Sequence, residues 1–232
     1  MKLNAELIVG IAVKLAPILP NPLMLLLLWF GLISPAQSAG LLTECSLEGE
    51  NSLIQIRVFK EGPLSALGDN HIISTEKISG NIQISTKAIH ESQIELSLQV
   101  DDLVVNDPEL RANAEEGFNT KVSGVNRKFT RKQMLGPKVL DADRFPTISI
   151  KILKIPQLSG GLGEIELNLH GTSNNEVSDI HYALDNNILT TSGQLLVSQR
   201  DYGIKPFSIL FGGIRVKDEL KIDYQVIANC QT

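Results

Sequence analysis

Hydrophobic and polar residues alternate one by one along several stretches of the chain. The pattern is clearest in residues 89–100, where Ile94, Leu96 and Leu98 alternate with polar side chains, and in residues 219–228. A period of two places successive side chains on opposite faces of a β-strand, one dry and one wet. On this basis we predict eight strands, at residues 53–59, 78–86, 89–100, 147–154, 164–170, 177–184, 188–197 and 219–228.

The alternation breaks between residues 107 and 140, where we predict a helical excursion. Asp107 suits a helix N-cap and Pro108 suits the first helical position. A second helical segment is expected at residues 126–134, before Gly136 and Pro137. Its basic residues could bind an anionic partner or simply form a solvated face. They are Arg127, Lys128, Arg131 and Lys132.

Glycine and asparagine clusters mark the turns. The segment 160–163, Gly-Gly-Leu-Gly, is expected to be a turn and not a phosphate-binding loop, because an alternating strand follows it instead of a helix. Several short alternating strands separated by such turns indicate an all-β sandwich or barrel in one domain. Eight antiparallel strands closed into a barrel leave an interior that side chains can fill or that can hold one small ligand.

The N-terminal region has the pattern of an export signal. Residues 23–33 are an unbroken apolar run, and the small residues Ala36, Ser38 and Ala39 follow it. We therefore predict a signal peptide over residues 1–38, cut after Ser38 or within two residues of it, and a periplasmic location. The alternative is an uncleaved membrane anchor, but 11 apolar residues are shorter than the roughly 20 that span a bilayer.

Charge and cysteine content narrow the class of protein further. The net charge of −5 gives no reason to expect nucleic acid as a partner. In an exported chain, two cysteines form a disulfide more often than a metal site. Cys45 and Cys230 stand near the two ends of the predicted domain, where a barrel with an even number of strands brings its first and last strands together. By the loop-entropy model, such a bond stabilises the fold by about 4–5 kcal/mol.

Three segments resemble successive signatures of the YceI-like family. They are GPLSALGDNHII at 62–73, MLGPKVLDADRFPTISIKI at 134–152 and VSQRDYGI at 197–204. The resemblance covers about residues 50–230, and we expect a YceI-like domain at 45–230. It implies an all-β, lipocalin-like barrel of about eight antiparallel strands with one helical excursion. It also implies a non-catalytic, exported carrier that holds a polyisoprenoid, such as a prenyl quinone or prenyl phosphate, and uses no cofactor.

The alternation and the resemblance together predict the residues that contact the ligand. Aliphatic side chains from several strands would form the wall of the lumen, and Tyr202 and Phe207 would line the rim or cap the core. Arg200 would either meet a headgroup at the mouth or make a structural contact with Asp201 or a loop carbonyl. The full predicted set is Ile82, Ile84, Ile94, Leu96, Leu98, Ile148, Ile150, Leu167, Arg200, Tyr202, Phe207, Ile222, Tyr224 and Val226.

The histidines differ from the family pattern. In the family that the chain resembles, many members carry two histidines in the first signature, in the pattern Gly-His-x-His. This chain keeps only the second of them, His71. We interpret His71 as a hydrogen-bonded loop residue, and His90, His170 and His181 show no metal-ligand spacing.

Two other functions compete with the carrier. An enzyme would need a nucleophile with a base, a carboxylate pair or a metal, and the sequence shows no such set. The second alternative is a barrel filled by its own side chains that acts through its surface, in envelope stress or as partner of a membrane redox protein.

Overall fold

A computed structural model describes residues 42–231 of the chain. The predicted signal peptide at residues 1–38 lies outside the described residues. Between residues 42 and 231 there are fourteen strands and two α-helices. The strands are β1 (Leu42–Leu47), β2 (Leu53–Val58), β3 (Lys60–Glu61), β4 (His71–Thr75), β5 (Ser79–Ser85), β6 (Gln93–Gln99), β7 (Val104–Val105), β8 (Thr147–Lys154), β9 (Gly160–Leu169), β10 (Thr172–Asp185), β11 (Ile188–Ser198), β12 (Ser208–Ile209), β13 (Ile214–Val216) and β14 (Glu219–Cys230). The helices are α1 (Pro108–Ala112) and α2 (Gly124–Leu135).

Eight strands close into an antiparallel barrel. Their order is β1-β5-β6-β8-β9-β10-β11-β14, and β14 pairs back to β1. Strands β2, β4 and β7 extend β1, β5 and β6 beyond short kinks, so that β14 pairs first with β2 and then with β1 along its length. The predicted all-β barrel with a helical excursion is therefore confirmed.

The alternation of the sequence sets the inside and outside of this barrel. In β14, the residues at 220, 222, 224, 226 and 228 all face the lumen, as their period of two predicts. Buried aliphatic side chains of the neighbouring strands meet them and form one continuous core. Whether a residue of β14 faces the lumen or the outside is therefore decided by its even or odd position along the strand.

The connections give the barrel two different ends. At the end that we call the disulfide end, the strands are joined by short turns, such as Asn186-Asn187, where both residues have positive φ. At the end that we call the loop end lie the segments 59–70 and 199–218 and both helices. Helix α1 begins as predicted, because the Asp107 side chain accepts hydrogen bonds from the backbone N–H groups of Glu109 and Leu110. Neither helix among residues 42–231 has the length and hydropathy needed to cross a bilayer.

A disulfide joins the first and last strands of the barrel. Cys45 and Cys230 lie directly opposite each other in the β1–β14 pair and are bonded. The predicted pairing is therefore present, and the reason is the one that the sequence suggested: closure places the start of the first strand beside the end of the last.

Two local predictions are wrong. Residues 160–163 are not a turn, because β9 already begins at Gly160. These glycines make room for neighbours: a Cβ at Gly163 would lie 2.4 Å from Cδ1 of Ile180, and one at Gly160 would lie 2.4 Å from the ring of His181. The third strand is also shorter than predicted, because Ile89–Glu91 forms a 3-10 turn before β6.

The disulfide closes a loop of 185 residues, which yields a stability prediction. Replacing both Cys45 and Cys230 by serine should lower the free energy of unfolding by about 4–5 kcal/mol, since the unfolded chain is then no longer constrained. Denaturant unfolding of the oxidised wild type and the double variant measures this difference. A reducing agent should destabilise only the wild type, and an equal response of both proteins would contradict the prediction.

Candidate ligand-binding site

A cavity of about 500 Å³ runs along the barrel axis. Seven of the eight barrel strands contribute to its wall, together with β2 and β4, and the wall is almost entirely aliphatic. Twelve of the fourteen residues that we predicted as ligand contacts line this cavity. They are Ile82, Ile84, Ile94, Leu96, Leu98, Ile148, Ile150, Leu167, Phe207, Ile222, Tyr224 and Val226.

The structure places the other two predicted residues outside the cavity. The guanidinium of Arg200 is mostly exposed and lies 3.7 Å from the carboxylate of Asp218 on the outer surface. Tyr202 is fully buried in the core, and its hydroxyl donates a hydrogen bond to Glu176 at 2.7 Å. Burial and this carboxylate raise the pKa of Tyr202. We therefore assign structural roles to both residues and remove them from the candidate site.

Strand β11 contributes wall residues that the sequence did not reveal as part of the site. Leu189, Leu195 and Val197 line the cavity. Their alternation is interrupted by Thr191 and by Gly193, which hid the inward face of the strand from a hydrophobicity pattern. The hairpin with β10 could have identified them, because residues directly opposite each other in two paired strands face the same side of the sheet.

A hydrogen bond between two side chains interrupts the aliphatic wall. The hydroxyl groups of Ser178 and Tyr224 are 2.9 Å apart, and that of Ser178 also donates to the carbonyl of Gln194 at 3.2 Å. Gly193 allows this arrangement, because a Cβ there would lie 2.4 Å from the Tyr224 hydroxyl oxygen. Burial raises the pKa of Tyr224, so the hydroxyl remains protonated and satisfied within the wall.

The cavity opens at the loop end, where its lining includes solvent-exposed and polar residues. On one side of this mouth lie Lys60, Asp69 and His71, and on the other lies the face of α2 that carries Asn126, Thr130 and Gln133. The α2 positions are spaced three and four apart, so they share one face of the helix. The site therefore combines a long apolar interior with a polar rim at one end.

A hydrogen-bond network fixes the ring of His71 at the mouth. The side-chain oxygen of Asn106 accepts from the Ile72 backbone N–H and from Arg111, both at 3.0 Å. The amide nitrogen of Asn106 is therefore the donor to His71 Nδ1, at 2.9 Å. Neutral His71 then carries its proton on Nε2, where it can act as a hydrogen-bond donor. The prediction that His71 is hydrogen-bonded is confirmed. The prediction that it lies in a loop is wrong, because His71 is the first residue of β4.

The surroundings of His71 also favour its neutral form. Burial lowers the pKa of His71. The negative charge of Asp69 raises this pKa and the positive charge of Arg111 lowers it, and the net shift is downward. Arg111 is itself buried and donates to backbone carbonyls of Asn70 and Thr120, at 2.8 Å each. Burial lowers the pKa of Arg111 as well.

The residues described by the structure offer little for metal chemistry. Within residues 42–231, no three His, Cys, Asp or Glu side chains come close enough together to hold a metal ion. His170 stacks against Phe145 with ring centroids 4.6 Å apart, and His181 lies 3.2 Å from Asp179 on the surface.

The fold and the cavity define a lipocalin-like β-barrel with an apolar lumen that is open at one end. The YceI-like domain model matches residues 64–228, and the chain belongs to this family. None of the curated proteins compared with the sequence matches it.

Two solved structures share the fold. BcnA from Burkholderia cenocepacia is 10% identical, with a TM-score of 0.55 over 78% of this chain and 99% of that chain. A polyisoprenoid binding domain from Saccharophagus degradans is 12% identical, with a TM-score of 0.51 over 82% of this chain and 99% of that chain. At such low sequence identity, the similarity shows a common fold and does not identify the ligand of this protein.

The lowered pKa of His71 predicts a pH effect on stability. Because the folded chain holds this proton less tightly than the unfolded chain, whose histidine titrates near 6.5, stability is present above that pH and is lost as pH falls through 6.5 toward the folded pKa. The wild type should lose up to about 1.4 kcal/mol per pH unit more than a His71→Gln variant in this window. Denaturant unfolding at about pH 7.5 and about pH 5.5 measures both. Equal losses would contradict the prediction.

Proposed function

We propose that the protein is an exported, non-catalytic carrier that holds a polyisoprenoid lipid in its barrel. The observation that carries this proposal is the cavity of about 500 Å³, with aliphatic walls and an opening at one end. A prenyl tail would lie along the axis and its headgroup would remain at the mouth. The family membership and the shared fold of a polyisoprenoid binding domain support the same ligand class.

The wall chemistry matches a hydrocarbon tail. Each buried CH₂ group contributes about 0.8 kcal/mol, and a prenyl chain asks for no hydrogen bond along its length. Several hydroxyl groups of the wall already have partners: those of Ser178 and Tyr224 bond to each other and to the backbone, and that of Tyr182 donates to the Pro156 carbonyl at 3.1 Å. A ligand with polar groups along its chain would have to leave those groups without partners.

The rim chemistry matches a compact polar headgroup. The Nε2–H of neutral His71 is a donor for a quinone carbonyl or a phosphate oxygen. Asn126 and Gln133 on the facing side of the mouth supply further amide groups. A prenyl quinone or a prenyl phosphate can therefore place its tail and its headgroup in matching surroundings.

The alternative of a self-filled barrel fits the structure less well, because a cavity remains between the inward side chains of the described residues. We also propose a periplasmic location on the basis of the predicted signal peptide, and a membrane-associated partner fits a carrier of a membrane lipid.

Lumen variants test the carrier function. Leu96 lines the cavity and is buried, so Leu96→Arg should abolish retention of a prenylated benzoquinone probe, since an unpaired charge would stand in the lumen. Leu96→Trp should weaken retention by at least tenfold by filling the space without introducing charge. Gln99→Arg is the matched control, because Gln99 is exposed on the same strand.

Retention is measured by gel filtration and extraction of the probe, and folding by circular dichroism. The proposal expects loss only in the two Leu96 variants. Full retention by a folded Leu96→Trp protein would argue against a ligand in the barrel.

A further inference from the structure

Apolar side chains protrude into solvent around the mouth of the cavity. They come from three separate segments of the loop end, namely 59–70, α2 and 199–218. The residues are Leu64, Leu67, Phe129, Ile209, Leu210 and Phe211, and we call this set the apolar rim. Leu67, Phe129 and Ile209 also line the cavity, so the apolar rim surrounds its opening.

The tip of the apolar rim is held outward by an unfavourable backbone conformation. Leu210 and Phe211 have φ of 51° and 55°, and the Phe211 ring is fully exposed. A left-handed conformation costs about 1–2 kcal/mol for a residue with a side chain, and bulky residues adopt it rarely. Hydrogen bonds from Leu64 N–H to the Gly213 carbonyl and from Val216 N–H to the Phe207 carbonyl hold the loop in place. Exposure of an aromatic ring at such a position contributes nothing to folding and therefore indicates contact with another phase or molecule.

Positive charge accompanies the apolar rim. Helix α2 carries four basic residues and no acidic one. Arg131 lies 3.8 Å from Asp101, whereas Arg127, Lys128 and Lys132 form no ion pair with the residues that the structure describes. Some acidic residues of the loop end are paired, Glu61 with Arg215 at 2.6 Å and Asp218 with Arg200 at 3.7 Å, and Asp69 lies at the cavity wall. The basic helix is a local feature, because the chain as a whole has a net charge of −5.

We propose that the apolar rim and α2 dock the barrel, mouth first, onto an anionic lipid bilayer. Apolar tips enter the interfacial region while lysine and arginine side chains contact anionic headgroups, which is the pattern of surface-bound amphipathic elements. The mouth then faces the acyl chains, and a lipid tail passes into the lumen without crossing water. This surface goes beyond the carrier function, because docking requires no ligand in the barrel.

Vesicle flotation of the purified chain tests the apolar contribution. We use phosphatidylcholine vesicles with and without phosphatidylglycerol, and intact mass spectrometry verifies that all variants share one N-terminus. Phe211→Asn should weaken partition onto anionic vesicles by about tenfold, since the ring no longer inserts. Asparagine tolerates the left-handed conformation, so the fold should be retained. The matched control is Leu158→Asn, because Leu158 is 78% exposed near the disulfide end.

The charge contribution is tested in the same assay. Replacing Lys128 and Lys132 by glutamine should weaken binding to anionic vesicles by at least tenfold, since each lysine near a membrane surface contributes about 1 kcal/mol. The control replaces Lys87 and Lys154 by glutamine, because both are exposed and lie near the disulfide end. Added salt should remove the difference between the two double variants.

Three results would overturn the docking surface. The first is equal partition of Phe211→Asn and Leu158→Asn, and the second is equal binding of the wild type to neutral and anionic vesicles. The third is a change of oligomeric state in Phe211→Asn with no change in flotation, which would make the apolar rim an interface between copies of the chain. Retention of the prenylated quinone probe should be unchanged in all these variants, so failure of docking and failure of the carrier function are separable.

Discussion

Closure of the sheet between β14 and β1 is the constraint on which the rest of the structure depends. Once the last strand pairs with the first, every inward side chain faces the same enclosed space, and sequence parity decides which residues those are. The Cys45–Cys230 bond lies at this seam and covalently fixes the register of the pair. The apolar lumen follows from closure and alternation together, without any special feature at a single position.

The two barrel ends differ in the length of their connections. The long connections of this chain lie at the loop end, and they carry both the polar mouth and the apolar rim. Hydrogen bonds connect His71, Asn106 and Arg111 on one side of the mouth. Helix α2 contributes both polar and apolar side chains to the mouth. In the proposed carrier, entry of the lipid tail and recognition of its headgroup would therefore occur at the same place.

Alternation is a local property, so the sequence predicted the strands and, from the same pattern, eleven of the twelve predicted residues that line the cavity. The resemblance to the YceI-like family selected the barrel over the sandwich. The sequence pattern missed β1 and β4, which are joined to β2 and β5 through kinks that break the alternation. The glycines at 160, 161 and 163 misled it, because glycine marks turns but also serves where a neighbouring side chain approaches closely. Arg200 and Tyr202 could not be placed, since their partners, Asp218 and Glu176, lie 18 and 26 residues away.

The most direct measurement of the central claim is mass spectrometry of what the barrel contains. The chain would be expressed with export intact, purified without detergent and extracted with organic solvent. Our account predicts one prenyl lipid per barrel, whose mass would identify both tail length and headgroup. An extract without a stoichiometric lipid, repeated from a host rich in prenyl quinones, would contradict it and would leave a barrel that acts through its surface.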